Sequence, residues 1–238
     1  DPSKVKLLRG AATALAALRS LGYRLIVVSN QSGVARGMFG EADVEAVNQE
    51  MCKQLREQAG AHIDASYYCP YHPEAVLPEY RMDHEWRKPK PGMLKQAAAD
   101  FGLDLSQCWL VGDMSRDIAS GAAAGCRTIL LKNPEHPAPE NDNGGRGGVD
   151  VSPNFIVKTL ADAARIIARE GASTHRDPVP VPLENAKRET RNAKPDEPAA
   201  EVPGAAATKV VDEEALVAQV VERLGKKMTS TQTPATNP

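Results

Sequence analysis

"GYRLIVVSNQSGVARG", residues 22–37, passes from a buried strand into a polar, glycine-flanked loop. Leu25, Ile26, Val27 and Val28 form an unbroken apolar run, the pattern of a strand covered on both faces. Just upstream, Leu15, Leu18 and Leu21 recur at helical spacing until Gly22, so the chain takes an α-then-β step here. Ser29, Asn30, Gln31 and Ser32 follow the strand, and Gly33 and Gly37 permit tight turns. Hydroxyl, amide and backbone N–H donors at a strand end suit phosphate oxygens. The same residue types also cap helices and fill turns, so this segment alone leaves both readings open.

The alternation continues outward. Residues 41–58 read as an exposed amphipathic helix ended by Gly60, and "IDASYY" as a short strand leading to Cys69. Pro91 is placed to open a helix through "GMLKQAAADFG". "CWLVGD", "TILL" and "NFIV" read as strands; "RDIASGAAAGC" and "LADAARIIARE" read as helices, the last ending at Gly171. Apolar strands alternating with helices predict an α/β fold: a doubly wound, mostly parallel sheet with its site at the strand C-termini. Between Cys69 and Pro91 a small loop insertion, instead of a large cap, is expected.

This domain is expected over residues 1–171. Residues 172–209, rich in Pro, Ala, Glu and Lys, read as a disordered linker, and 229–238 as a disordered tail. Between them, 210–228 form an amphipathic stretch with Leu216, Val217, Val220, Val221 and Leu224 on one stripe. That stretch is either a surface helix or an element that meets a partner.

The formal net charge is -2, which argues against a nucleic-acid or membrane surface as partner and leaves a small-molecule site. No apolar run reaches transmembrane length. Cys52, Cys69, Cys108 and Cys126 are scattered without framework spacing, which points to a reducing, cytoplasmic setting.

Two further segments carry chemistry. In "RKPKPGM", residues 87–93, Pro89 and Pro91 stiffen a turn that bears Arg87, Lys88 and Lys90. Fixed cations there would neutralise a transferring phosphoryl group; a solvated Lys/Pro loop is the plain alternative. In "WLVGDMSRDIASG", residues 109–121, Asp113 ends a strand and Asp117 lies in the first turn of the next helix. Such carboxylates suit Mg²⁺, which prefers oxygen ligands, and Asp113 as a simple helix cap is the competing reading.

Strand-SNQSG, then RKPKPG, then strand-GDxxxD, in that order, resembles the haloacid dehalogenase superfamily of phosphatases. With "YYCPYHPE" it is similar to those members that hydrolyse a heptose bisphosphate in cell-envelope sugar synthesis. The resemblance covers residues 1 to about 170. It implies Mg²⁺ and an aspartyl-phosphate intermediate, formed by carboxylate attack on a sugar phosphate. By position it implies phosphoryl binding by Ser29, and a substrate-lining role for Asn30, Gln31 and Ser32. Lys88 would stabilise the pentacoordinate charge, Arg87 would recognise the bisphosphate, Asp113 would ligate Mg²⁺ and Asp117 would support it. Histidinol-phosphate hydrolysis and a non-catalytic phosphate-binding remnant are the alternatives.

Two departures matter. The superfamily's Asp-x-Asp motif, which supplies the nucleophile, occurs nowhere in these 238 residues, and the chain opens on "DPSKVKLL" without Met. N-terminal truncation of a central first strand is the expectation, with an inactive and unstable chain as the result. Many family members also close the 69–86 loop on zinc through Cys-x-His and Cys-x-Cys. Here Cys69 is in register, whereas Tyr71, His84 and Trp86 occupy the other ligand positions and His72 is one residue out. Cys69, His72 and His84 are the remaining zinc candidates, one short of a tetrahedral set. The loop is expected to pack without zinc, through Pro73, Pro78, Tyr80 and Trp86.

Overall fold

The computed structural model describes residues 1–134 and 151–172, together with the backbone of 191–193. In chain order it contains α1 (Ala11–Ser20), β1 (Ile26–Asn30), α2 (Ser32–Ala35), α3 (Glu41–Ala59) and β2 (Ala65–Cys69). Then come α4 (Gly92–Phe101), β3 (Trp109–Gly112), α5 (Ser115–Ala124), β4 (Arg127–Leu131), β5 (Phe155–Val157), α6 (Leu160–Ala172) and β6 (Arg191–Ala193). Among the described residues every strand pairing is parallel, giving one sheet of order β1-β2-β6 and another of order β3-β4-β5.

The alternation of side chains along each strand divides the core into two layers. Val27 of β1 and Trp109 and Val111 of β3 join Leu15 and Leu18 of α1, Met51 and Leu55 of α3, and Ala163 and Ile167 of α6. Ile26 and Val28 of β1 and Leu110 of β3 face the other way, onto Met93, Leu94 and Ala97 of α4. Helices therefore cover both faces, as continuous apolar strands require. Although β1 and β3 share both cores, no ladder joins them among the described residues. They are the two strands between which a further central strand is expected.

Local sequence explains the element ends. Gly60, at φ 66°, closes α3 in the left-handed conformation that glycine adopts without strain. Asp43 accepts from the Gly40 backbone N–H at 2.9 Å and caps the start of the same helix. Two elements differ from expectation. Ser32–Ala35, read as a turn, closes into a short helical turn. Within the stretch read as a linker, Arg191–Ala193 pair with Ala65–Tyr67 of β2, because that strand offers unpaired backbone groups at its edge. The amphipathic stretch 210–228 and the tail 229–238 lie outside the described residues. Among those described, no helix is long and apolar enough to cross a membrane.

Leu15 is wholly buried where α1 meets the shared core. Leu15→Ala should lower the unfolding free energy by about 2–5 kcal/mol, read from urea denaturation.

Candidate phosphate-binding active site

The ammonium of Lys88 lies between β1 and the start of α5. It donates to the Val28 carbonyl of β1 at 2.7 Å and lies 3.1 Å from Asp117 Oδ1, in the first turn of α5. Both side chains are buried, at 1 % and 0 % exposure. The other carboxylate oxygen, Oδ2, accepts from the Met114 backbone N–H at 3.0 Å and caps α5. A Cβ on Gly112 would collide with the Asp117 side chain, so glycine at the end of β3 lets the carboxylate reach inward.

Asn30 fixes the loop that carries Lys88. Its Nδ2 donates to the Lys88 carbonyl at 3.1 Å, and its Oδ1 accepts from the Lys88 N–H at 3.0 Å. Gln31 is buried, donates through Nε2 to Ser29 Oγ at 3.1 Å, and through its backbone N–H to the Cys69 carbonyl at 2.8 Å. Ser29, itself buried, follows Val28 on β1, and Ser32 begins α2. Asp113 follows Gly112 at the end of β3, and is 7 % exposed. Arg87 turns away from its neighbour Lys88, donating through a guanidinium N–H to the Tyr71 carbonyl at 3.3 Å.

Thus Ser29, Lys88, Asp113 and Asp117 gather at the C-terminal edge of the parallel strands. Asn30 and Gln31, expected to line the substrate, spend these side-chain bonds on holding Lys88 and Ser29. The Asp117 carboxylate is ion-paired with Lys88 and hydrogen-bonded to Met114 N–H, a structural part that GDxxxD spacing does not show. Mg²⁺ takes oxygen ligands, often one or two carboxylates with waters and phosphate oxygens. Asp113 fits as one such ligand. Among the described residues no group of three or more His, Cys, Asp and Glu is placed to hold a metal ion.

The zinc candidates have other partners. The Cys69 thiol donates to the Tyr71 carbonyl at 3.9 Å, and burial above all raises its pKa to about 11. His72 Nδ1 accepts from Glu74 N–H at 3.0 Å; burial, then Arg87 and Arg36, push its pKa below the usual 6.5. His84 Nδ1 accepts from Trp86 N–H at 3.0 Å, and its ring stacks on Tyr71. The loop also uses a residue that sequence reading missed. Glu41, at the start of α3, accepts from both Tyr68 and Tyr80 hydroxyls at 2.9 Å. Consecutive tyrosines on a buried strand were the available signal, since each buried hydroxyl needs a partner.

Residues 85–163 match the HAD-hydrolase-like family model. The chain is 33 % identical over 162 residues to D-glycero-beta-D-manno-heptose-1,7-bisphosphate 7-phosphatase of Escherichia coli K12, covering 68 % of this chain and 80 % of that protein. The chain belongs to the haloacid dehalogenase-like phosphatases. It is also 40 % identical over 122 residues to the enzyme of that name from Rhodopseudomonas palustris, covering 51 % of this chain and 67 % of that one. A solved structure, D,D-heptose 1,7-bisphosphate phosphatase from B. bronchiseptica with magnesium and phosphate, superposes with a TM-score of 0.56 at 29 % identity. That match covers 68 % of this chain and 84 % of that structure. Across the first curated relatives the match spans 60 % to 80 % of their length.

Two outcomes test the site of this phosphatase-family chain. Removing one partner of a buried ion pair strands the other charge, so Asp117→Ala should lower stability by about 3–5 kcal/mol, and adding Lys88→Met should recover part of it. Urea denaturation of the three chains measures both. Burial favours neutral His62 and His72 in the fold, so stability falls as pH drops below their ordinary 6.5. It also favours the neutral Cys69 and Cys126 thiols, so stability falls as pH rises above 9.0 towards their raised values of about 11 and 12. Urea midpoints against pH should show a plateau between those limits.

Proposed function

We propose that this chain is the phosphate-binding body of a phosphatase that removes the 7-phosphate from D-glycero-D-manno-heptose 1,7-bisphosphate. The observation that carries the reading is Lys88, a buried cation pinned between Asp117 and the carbonyl of Val28, the residue before Ser29. Its charge is held in place before substrate arrives, so it stabilises a phosphoryl transition state without reorganisation. The Ser29 hydroxyl, steadied by Gln31, bonds a phosphoryl oxygen. Arg87 meets the rest of the bisphosphate. Asp113 would hold Mg²⁺, which when bound offsets charge on the phosphoryl oxygens. Relatives of that printed name and the shared order of motifs support the substrate class.

The attacking carboxylate is not among these residues, because the chain contains no Asp-x-Asp. We therefore expect turnover only from a chain carrying a strand that ends in Asp-x-Asp ahead of residue 1, with an aspartyl-phosphate intermediate. Phosphate release from the heptose bisphosphate, with and without that segment and Mg²⁺, tests this. Expected is Mg²⁺-dependent release by the extended chain, reduced about 10²–10³-fold in kcat by Lys88→Met. Equal turnover by the chain without the segment overturns it, and faster hydrolysis of histidinol phosphate reassigns the substrate.

A further inference from the structure

Tyr67 and Tyr68 are neighbours on β2, so their side chains leave opposite faces of the sheet. From Tyr67 a run of ring contacts enters the 70–91 loop. Tyr67 meets Trp86 edge-on at 5.8 Å, Trp86 meets His84 at 6.3 Å, His84 stacks on Tyr71 at 5.0 Å, and Tyr71 meets Tyr80 at 6.0 Å. From Tyr80 the hydroxyl reaches Glu41 Oε1, and Glu41 Oε2 accepts from Tyr68, both at 2.9 Å. The circuit thus returns to β2 one residue from where it left. Tyr71, in its middle, is also the residue whose carbonyl receives Arg87.

We propose that this circuit, closed by the Glu41 carboxylate, holds the loop and positions Arg87 for the second phosphate of the substrate. Tyr71, Tyr80 and Glu41 are then positioning residues, acting through Arg87. Glu41 suits the task because its carboxylate, at the N-terminus of α3, is favoured there by the helix dipole and accepts two hydroxyls at once. The loop backbone supports the same placement. Val76 and Leu77 N–H both donate to the Ala35 carbonyl, and His72 N–H donates to the Tyr80 carbonyl at 3.0 Å. Trp86 and Tyr71, which stand at zinc-ligand positions, serve here as ring contacts.

The proposal rests on the sugar-bisphosphate reading for its ligand, and one readout is independent of that reading. The chain and its Tyr80→Phe, Glu41→Ala, Glu41→Gln and Tyr80→Phe/Glu41→Ala variants are compared, with far-UV circular dichroism confirming folding. Trypsin cleavage after Arg81 reports the loop, and calorimetric titrations use D-glycero-D-manno-heptose 1,7-bisphosphate and inorganic phosphate. Tyr80→Phe, which removes one hydrogen bond, should speed cleavage and weaken bisphosphate binding about fivefold, and Glu41→Ala, which removes two, at least as much. Inorganic phosphate binding should hold, Glu41→Gln should recover most of the loss, and the double variant should add nothing to Glu41→Ala. Unchanged cleavage, additive effects, equal losses for both ligands, or one zinc per chain removed by His84→Ala overturn the proposal. Faster cleavage in variants of a chain that binds no heptose bisphosphate rejects the substrate reading and supports the clamp.

Discussion

The buried pair of Lys88 and Asp117 is the constraint on which the rest of this structure depends. An ammonium and a carboxylate out of water are costly unless each is bonded on every side. Here the Val28 carbonyl takes one ammonium proton, Asp117 lies beside another, and Met114 N–H bonds the remaining carboxylate oxygen. Those partners belong to β1 and to the start of α5, so the pair links two sheets that no backbone ladder joins among the described residues. Gly112 is small because Asp117 must pass it, and Asn30 grips the Lys88 backbone because the ammonium must arrive at one point.

From that anchor the chemistry divides between two neighbours. Lys88 points into the protein, where its charge is fixed and desolvated. Arg87 points to the loop, where the Tyr71 carbonyl and the aromatic circuit govern its position. In the proposed reaction, a phosphoryl group at Ser29 and a second anionic group on the same substrate would meet one cation fixed in the interior and another held by the loop.

Much of the fold was legible. Apolar runs at residues 25–28 and 109–112 could only be strands buried on both faces, and the intervening helical spacing made a parallel, doubly wound arrangement the economical solution. Ser29 and Asp113 were found as candidates because each lies at the end of an apolar strand, and Lys88 because prolines stiffen the basic turn that bears it. The use of Asp117 was not legible, since spacing in GDxxxD suits a metal support as well as a lysine partner. Nor was Glu41, which reads as one more exposed acid at a helix start. Its partners lie 27 and 39 residues away, and the consecutive tyrosines of β2 signal only that a partner is needed, not which residue supplies it.

By itself, then, the amino-acid order determined the layers, the parallel direction of the strands and the strand edge where the candidate residues lie, because those follow from periodicity and local turn chemistry. Only the tertiary structure decided which polar groups face one another. Asn30 and Gln31 became braces, Asp117 a counter-ion, and two tyrosines with one glutamate a clasp across the loop. Such choices depend on distances of about 3 Å between residues far apart in the chain, the range over which a hydrogen bond forms or fails.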